Sequence, residues 1–438
     1  MTKRAAATLA DGLAFLERHI NLEATANISA GKVEHLSLDP MRALVALLGD
    51  PQTDVPFVHL TGTNGKGSTA MLITRLLVAT GLSVGTYASP HVSAVNERIQ
   101  GNGIPIDDDD LAELLATVEL VVSTLDHSPS YFEIMTASAY RWFADLAVDA
   151  AVAEVGIFGR YDATNVADGR VAVITNVGFD HTDGHEGWRT DIAEEKAGII
   201  KPGSTLVLGE TATELRPIFL GEGADDVLVR GEDFGCHDDR LAVGGRVVGI
   251  HTNRSRFDDV FMSLHGGHQS RNAALAVAAT EAFLDAALSQ EVVEEAFADA
   301  SLPGRFEVLG HGPLVVVDGA HNVDALTAAV RTMTEDFANN GRRILIVGIM
   351  RGRDPVTLLE AVEAQSADLV LACRPPSPRG LPADELAAAG RAIGVRIEAA
   401  GEPEEAIERA LLLADDRDAI FAFGSLYVAG AIRDTILG

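Results

Sequence analysis

The sequence predicts an α/β fold in two parts. A parallel-sheet domain is built around a glycine-rich loop and carries a small antiparallel sheet; a C-terminal Rossmann-like α/β domain follows. Three observations predict this. From residue 50 to 210, short β-rich runs alternate with helical runs, the pattern of a wrapped parallel sheet. Over 211–263 the alternation gives way to short β runs separated by Gly and Asp. After "DASLPGRFEVLG" a second alternating series begins and continues to residue 438. The boundary falls near Leu302–Gly304, giving domains 1–302 and 303–438 with the small β region at about 211–263.

Each element follows from its residues. "MTKRAAATLADGLAFLERHI" reads as an amphipathic helix carrying Asp11 and Glu17, without the apolar core and small-residue cleavage site of a signal peptide. "VPFVHLTG" is a β-rich run feeding a glycine turn, and "STAMLITRLLVATG" is a helix ending at Gly81. "SVGTYAS" is the next strand. "DDDDLAELLATVELVVSTL" is a helix whose first turn is acidic, where acids suit the helix dipole. "SYFEIMTASAYRWFADL" and "TDIAEEKAGII" are further helices; "VDAAVAEVG" and "RVAVITNVG" are buried strands. "GGHQSRNAALAVAATEAFL" returns to helix after the small sheet. In the second series "PLVVVDGAHN", "RRILIVGIM", "ADLVLACRP", "VRIEAA" and "DAIFAFGSLYVAG" supply the strands of one Rossmann-like unit.

The bulk properties exclude several function classes. No apolar run reaches the ~18 residues of a membrane span. Cys236 and Cys373 stand far apart and form neither a disulfide framework nor a zinc pattern, so a cytoplasmic protein is expected. A formal net charge of −30 argues against nucleic-acid or anionic-membrane partners. It also means that anionic substrates need local cations. Lysine is scarce: Lys3, Lys32, Lys66, Lys196 and Lys201 stand against 29 arginines. One of the five occupies the glycine loop, where a slim point charge serves better than a planar guanidinium.

That loop is Gly62-Thr63-Asn64-Gly65-Lys66-Gly67-Ser68. A strand feeding a glycine turn into a helix makes a phosphate site: the helix N-terminus offers free N–H groups and partial positive charge, and glycines allow close backbone approach. Lysine adds a full charge, and a hydroxyl can join a metal's ligands. The loop departs from the strict Walker pattern, with Leu60 at its first glycine position and Gly67 between Lys66 and Ser68. It is a related P-loop, and the alternative is a surface turn with a chance lysine.

"GTNGKGS" followed by "YASPHVSAVNERI" resembles the folylpolyglutamate synthase/dihydrofolate synthase family of the Mur ligase superfamily. "YFEIMTA", "AEVGIFGRYDATN", "TNVGFDHTD", "EEKAGIIKPG", "HQSRNAALA", "LPGRFEV", "DGAHN" and "FGSLYVAG" follow in the family's order, from about residue 30 to the C-terminus. The resemblance implies a P-loop ATPase domain and an ATP-dependent amide ligase. In that chemistry a pterin or folate carboxylate attacks the γ-phosphate of ATP, and the amine of L-glutamate then attacks the acyl phosphate. Dihydropteroate and reduced folates are the implied acceptors; many bacterial members serve both steps, and a bifunctional enzyme is the expectation, with a single step as the alternative.

The resemblance also assigns roles. Gly65, Lys66, Gly67 and Ser68 would hold the β- and γ-phosphates. Ser89, Glu154 and His181 match magnesium-binding positions, with two Mg²⁺ ions implied. Lys196 matches a lysine carried as a carbamate that helps hold the second ion; its plain alternative is an i,i+4 contact with the helix face, or a pairing with Asp191 or Glu195. Asn272 would meet adenine, Arg305 the phosphates, and Asp318 the ribose, with His321 nearby. Phe132 and Asp162 match pterin-contacting positions, although Phe132 sits in an apolar helix and core packing competes. Lys66, Lys196, His181 and Arg305 are thus the expected catalytic set. A monomer is implied.

Three blocks depart from the family. "EVGIFGR" has Phe158 where a glycine is usual, "SLDP" (Ser37 to Pro40) replaces "GLER", and "RGRDP" replaces "ADKDP" while keeping Asp354 and Pro355. The nucleotide and metal blocks are intact and the acceptor blocks drift, so a different carboxylate acceptor is the alternative reading. A Mur ligase for nucleotide-linked peptides would need a further N-terminal domain, for which ~50 residues are too few. The non-Walker loop and the second α/β half count against a P-loop kinase or GTPase. The intact Lys66, Glu154, His181, Lys196, Arg305 and Asp318 count against a non-catalytic binding protein.

Overall fold

The computed structural model describes residues 8–21, 37–182, 184–337 and 341–438. Lys3, Lys32 and Asp183 lie outside the described residues. The chain divides into two compact units. The first comprises Met1–Asp238, Val248–Phe261 and Arg271–Asp299; the second comprises Asp239–Val247, Met262–Ser270 and Ala300–Gly438.

In the first unit eight strands form one sheet: β1 (Phe57–Thr61), β2 (Val84–Tyr87), β3 (Ile99–Gly101), β4 (Ile104–Pro105), β5 (Ala150–Glu154), β6 (Gly169–Ile174), β7 (Thr205–Leu208) and β8 (Asp226–Val229). Their order is β4-β3-β2-β5-β1-β6-β7-β8. The six strands from β2 to β8 in that order run parallel, and β3 and β4 add an antiparallel edge. β1, β2 and β5 are buried along their whole length, which is why they read as unbroken apolar runs. One cluster gathers Tyr87, Ile134, Tyr140 and Phe143; another gathers Ile174, Ile192, Leu206 and Phe219.

Helix starts differ from expectation where glycine sets the turn. The helix after the loop runs Lys66–Ala79, two residues earlier than the Ser-Thr pair, because Gly65 caps it in the left-handed region at φ +83°. The helix expected from "TDIAEEKAGII" runs Trp188–Ala197, with Gly187 in the same role at φ +90°. The expected N-terminal helix is Leu9–Glu17, opened by a reciprocal capping pair between Thr8 and Asp11.

The region expected as a small sheet over 211–263 is shorter. β8 pairs parallel with β7, as its apolar Val227–Val229 end predicts for a sheet strand, and so belongs to the large sheet. Only β9 (Gly235–Ala242), β10 (Gly245–His251) and β11 (Arg256–Met262) form the three-stranded sheet, in the order β11-β10-β9.

The second unit holds β12 (Glu307–His311), β13 (Leu314–Val317), β14 (Arg343–Val347), β15 (Leu369–Ala372), β16 (Ile397–Ala399) and β17 (Ala419–Phe423) in the order β12-β13-β17-β14-β15-β16. All neighbours are parallel except the β12–β13 hairpin. Phe306 anchors the start of this unit, packed on Phe337, Phe421 and Phe423.

A buried ion network braces the same unit. Arg246 bonds Asp239 and Asp336 at 2.6 Å each, and the Asp336 side chain is fully shielded from solvent. Gly266 N–H also donates to Asp336 at 2.8 Å. Removing the cation leaves a buried carboxylate without its charge partner. Arg246→Ala is therefore expected to lose about 3 kcal/mol of stability, read as a lower urea midpoint, whereas an unchanged midpoint would contradict the bracing role.

Candidate active site

The phosphate-loop geometry is set by the neighbouring strand. Loops from the carboxyl ends of β1 and β6 lie side by side, the place where parallel sheets bind ligands. Thr63 N–H donates to Asn176 O and Asn64 N–H to Asn176 Oδ1, both at 3.0 Å. In return Asn176 Nδ2 and Thr175 Oγ1 donate to Asn64 O at 3.0 and 2.7 Å. Gly178 N–H donates to Thr63 Oγ1 at 2.9 Å. Lys66 Nζ donates to Gly62 O at 3.0 Å, so the ammonium arches back over the loop. A methyl group on Gly62 would fall 1.7 Å from Thr175 Oγ1. On Gly65 it would fall 2.7 Å from Asn272 Oδ1, which places Asn272 at the head of the loop helix. Gly67 and Ser68 are buried in the first turn of that helix. No motif in the sequence marks Thr175 and Asn176 as the loop's clamp; the available signal is a polar pair directly after a buried strand.

Next to the loop stand the candidate metal ligands. Glu154 ends β5, and one of its oxygens accepts the Ser89 N–H at 3.2 Å; both residues are buried. That contact brings a serine and a glutamate together, and hydroxyl and carboxylate oxygens are the hard donors that Mg²⁺ takes. His181 is the exposed member, with Nε2 4.0 Å from Asp180 Oδ2 and its ring edge-on to Phe158 at 6.0 Å. Among the described residues no three His, Cys, Asp or Glu side chains gather, and the expected set contains only two of those types. Asp180, in "FDHTD", is a neighbour of His181 to which the family pattern assigns no role.

Lys196 lies in the helix Trp188–Ala197 and is buried. Burial pushes its ammonium well below the ordinary lysine value; the Lys66 charge pushes the same way and Asp180 opposes. Among the described residues the pairing with Asp191 is not made. Asp191 bonds His185 Nε2 at 2.7 Å instead.

A cleft with a cavity volume of about 170 Å³ opens between the residues after β5 and the helix Tyr131–Leu146. Phe132, Asp162 and Phe158 line it, together with Ser37, Leu38 and Tyr161. Both acceptor-side departures, Phe158 and the start of "SLDP", thus meet the two expected pterin contacts in one place. Phe132 lines this space while packing on Tyr87 at 5.9 Å, so the competing core reading holds for part of the ring. Phe158 adopts φ +62°, the left-handed region that a glycine enters without strain. Asp162 accepts from Ile157 N–H at 3.0 Å and from Thr164 N–H and Oγ1 at 3.0 and 2.6 Å. Burial still pushes its carboxyl up to about 6.

In the second unit Asp318 Oδ2 accepts from Phe306 N–H at 2.8 Å, and Oδ1 closes a turn by accepting from Ala320 N–H at 2.7 Å. Burial raises this carboxyl to about 6, and the nearby charges of Arg305 and His321 oppose the rise. His321 Nδ1 lies 2.8 Å from Gly319 O. The structure therefore brings Arg305, Asp318 and His321 together.

Comparison with known proteins bears on this arrangement. The profile of the Mur ligase middle domain matches residues 60–280, and that of the Mur ligase glutamate ligase domain matches residues 304–426. A Mycobacterium tuberculosis dihydrofolate synthase/folylpolyglutamate synthase is 35% identical over 443 residues, covering 92% of this chain and 90% of that one. The chain belongs to the folylpolyglutamate synthase/dihydrofolate synthase family of Mur ligases. A Bacillus subtilis family member is 36% identical over 322 residues, covering 71% of this chain and 74% of its own. Among solved structures, the M. tuberculosis folylpolyglutamate synthase complexed with ADP superposes with a TM-score of 0.90 at 33% identity, covering 98% of each chain. The Escherichia coli FolC structure in complex with DHPP and ADP gives 0.85 at 27% identity over 99% of each. The family resemblance and the fold class read from the sequence are both borne out. No described helix is long and apolar enough to cross a membrane.

The loop clamp generates a direct expectation. Gly62→Ala drives a methyl into Thr175, so nucleotide affinity falls about a hundredfold or more in titration calorimetry, with the fold retained by circular dichroism. Affinity equal to the parent would show that the loop does not hold the nucleotide.

Proposed function

We propose that this chain is an ATP-dependent ligase that joins L-glutamate in amide linkage to a pterin or folate carboxylate, acting on both dihydropteroate and reduced folates. The observation that carries the proposal is the placement of the acceptor cleft after β5, the strand next to β1 and its phosphate loop. Relatives named for these two activities, and neighbours solved with ADP and with DHPP, support the same reading.

The residues divide the work. The loop from Gly62 to Ser68 cradles the β- and γ-phosphates, with Lys66 as the point charge. Asn272, Arg305, Asp318 and His321 are assigned to adenine, phosphates and ribose. Ser89, Glu154 and His181 would hold Mg²⁺, which supplies the charge that offsets phosphate repulsion. Phe132 offers an aromatic face to a flat heterocycle, and ionised Asp162 accepts from its N–H groups. An acceptor carboxylate oxygen then forms a bond to the γ-phosphorus as the bond to ADP breaks. The neutral amine of glutamate attacks the acyl carbon, phosphate leaves, and the amine gives up a proton. Exclusion of water protects the acyl phosphate. The same reading takes the enzyme as a cytoplasmic monomer acting on small molecules, without nucleic-acid or membrane partners.

Lys196 fits the carbamate assignment. Burial disfavours the ammonium of Lys196 and so favours the free amine, whose electron pair forms the N–C bond with CO₂ as one proton leaves. The resulting anion sits in the field of Lys66, which favours it. Lys196→Ala is expected to lower kcat about a hundredfold, with partial recovery in millimolar acetate or propionate. Full activity in that variant would contradict the assignment.

The test of function is product mass after incubation with MgATP and glutamate. One added glutamate on dihydropteroate and further additions on tetrahydrofolate are expected. Addition to neither, with ATP hydrolysis dependent on some other carboxylate, would favour the alternative acceptor that the drift at Ser37 and Phe158 allows. The pH dependence is also specified. A carboxyl raised to about 6 gains its proton as pH falls through that value, and the protonated form loses its charge and presents an O–H donor where the carboxylate had an acceptor oxygen. The acceptor KM should therefore rise towards tenfold per pH unit below about 6. Asp162→Asn should raise KM at neutral pH and remove that slope.

A further inference from the structure

His59, the residue that opens the loop stretch, is fully buried in the middle of β1 and has no role in the scheme above. Its Nε2 lies 2.9 Å from Thr164 Oγ1, which in turn lies 2.6 Å from Asp162 Oδ1. Tyr140 holds the same segment by donating its hydroxyl to Thr164 O at 2.8 Å. His59, Thr164 and Asp162 therefore form one chain of contacts, running from a sealed point in the central strand to the acceptor cleft.

Protons can be arranged along this chain in two ways. In the first, His59 carries its proton on Nε2 and donates to Thr164, which donates to an ionised Asp162. In the second, Asp162 is protonated and donates to Thr164, which donates to a bare Nε2, and the ring proton moves to Nδ1. His59 Nδ1 is buried and meets no hydrogen-bond partner among the described residues. The first arrangement leaves a lone pair unsatisfied there; the second buries an orphan N–H, the costlier defect. Asp162 also accepts two backbone N–H groups, from Ile157 and Thr164, as an ionised carboxylate does. The ring itself is neutral: burial, with Lys201 adding, pushes His59 down to about 3.

We infer that His59 is a positioning residue for acceptor recognition: as the Nε2–H tautomer it orients the Thr164 hydroxyl towards Asp162 and keeps Asp162 an ionised hydrogen-bond acceptor in the cleft. The inference rests on the reading of that cleft as the pterin site. It explains why a polar ring occupies a fully buried strand of the sheet at the cost of an unsatisfied nitrogen. It also extends acceptor recognition three groups back from the substrate, to a side chain that touches no ligand.

The test has two arms. The first labels the histidines with ¹⁵N in the unaltered protein and reads the tautomer of His59 by NMR, an observation independent of any substrate. Nε2–H is expected; Nδ1–H overturns the inference. The second arm measures dihydropteroate binding by fluorescence in folded variants. His59→Leu removes the donor and should raise the dissociation constant about tenfold. His59→Gln places an amide N–H near the position of Nε2 and should stay within about twofold of the parent. Binding of an ATP analogue should be the same in all three. If the parent binds dihydropteroate and His59→Leu binds it equally well, or His59→Gln fails as badly as His59→Leu, the positioning role is overturned while the function stands. If the parent binds no pterin acceptor, the functional reading fails and this inference with it.

Discussion

The contact on which the rest of the site depends is the clamp of Asn176 and Thr175 on Asn64. It uses both ends of one side-chain amide and a hydroxyl to fix a loop that has no secondary structure of its own. The clamp works because β6 pairs with β1 in register up to Thr61 and Ile174, so the residues after each strand emerge side by side. On the other flank β5 pairs with β1 up to Leu60 and Glu154. The residues after three adjacent strands thus supply the phosphate loop, a candidate metal ligand and the cleft wall. A slip in that register would separate all three.

Charge explains why the site is built from so few cations. With a formal charge of −30, a general positive field is not available. The chain instead concentrates Lys66 and Lys196 at one point, deep enough that Lys196 is pushed well below its ordinary value. Two lysines at one place repel each other, and the arrangement makes sense where phosphate joins them or where one becomes an anion. Phe158 shows the same willingness to accept local cost: a bulky residue with φ +62° beside a cleft is strained in isolation and is held by burial and by Thr61, which donates to its carbonyl oxygen.

Much of this was legible in the sequence, for reasons that can be named. Buried parallel strands read as apolar runs, so β1, β5 and β6 were plain, and so was the loop, because glycine, lysine and serine have few other uses at that spacing. β8 was misjudged because its four residues are framed by Gly and Asp, which look like antiparallel turns until the sheet order is known. The β12–β13 hairpin was missed for the converse reason: "RFEVLGHGPL" is short and polar at its turn. Residues that act by supporting others were the least visible. Thr175, Asn176, Asp180 and His59 carry no motif of their own, and only their distances to Asn64, His181 and Thr164 show what they hold. The reverse holds for Asp191, which the sequence offers as a partner for Lys196 and which instead bonds His185.

The central claim is that the two halves of the first unit's site, phosphate loop and acceptor cleft, exist so that a carboxylate can attack a phosphoryl group. The most direct measurement follows oxygen. Dihydropteroate labelled with ¹⁸O in its carboxylate is turned over with MgATP and glutamate, and the inorganic phosphate is analysed by mass. Transfer of one ¹⁸O atom into each phosphate released is predicted, because the acyl phosphate breaks between its carbonyl carbon and the bridging oxygen. Phosphate free of label, with the amide still formed, would contradict the account.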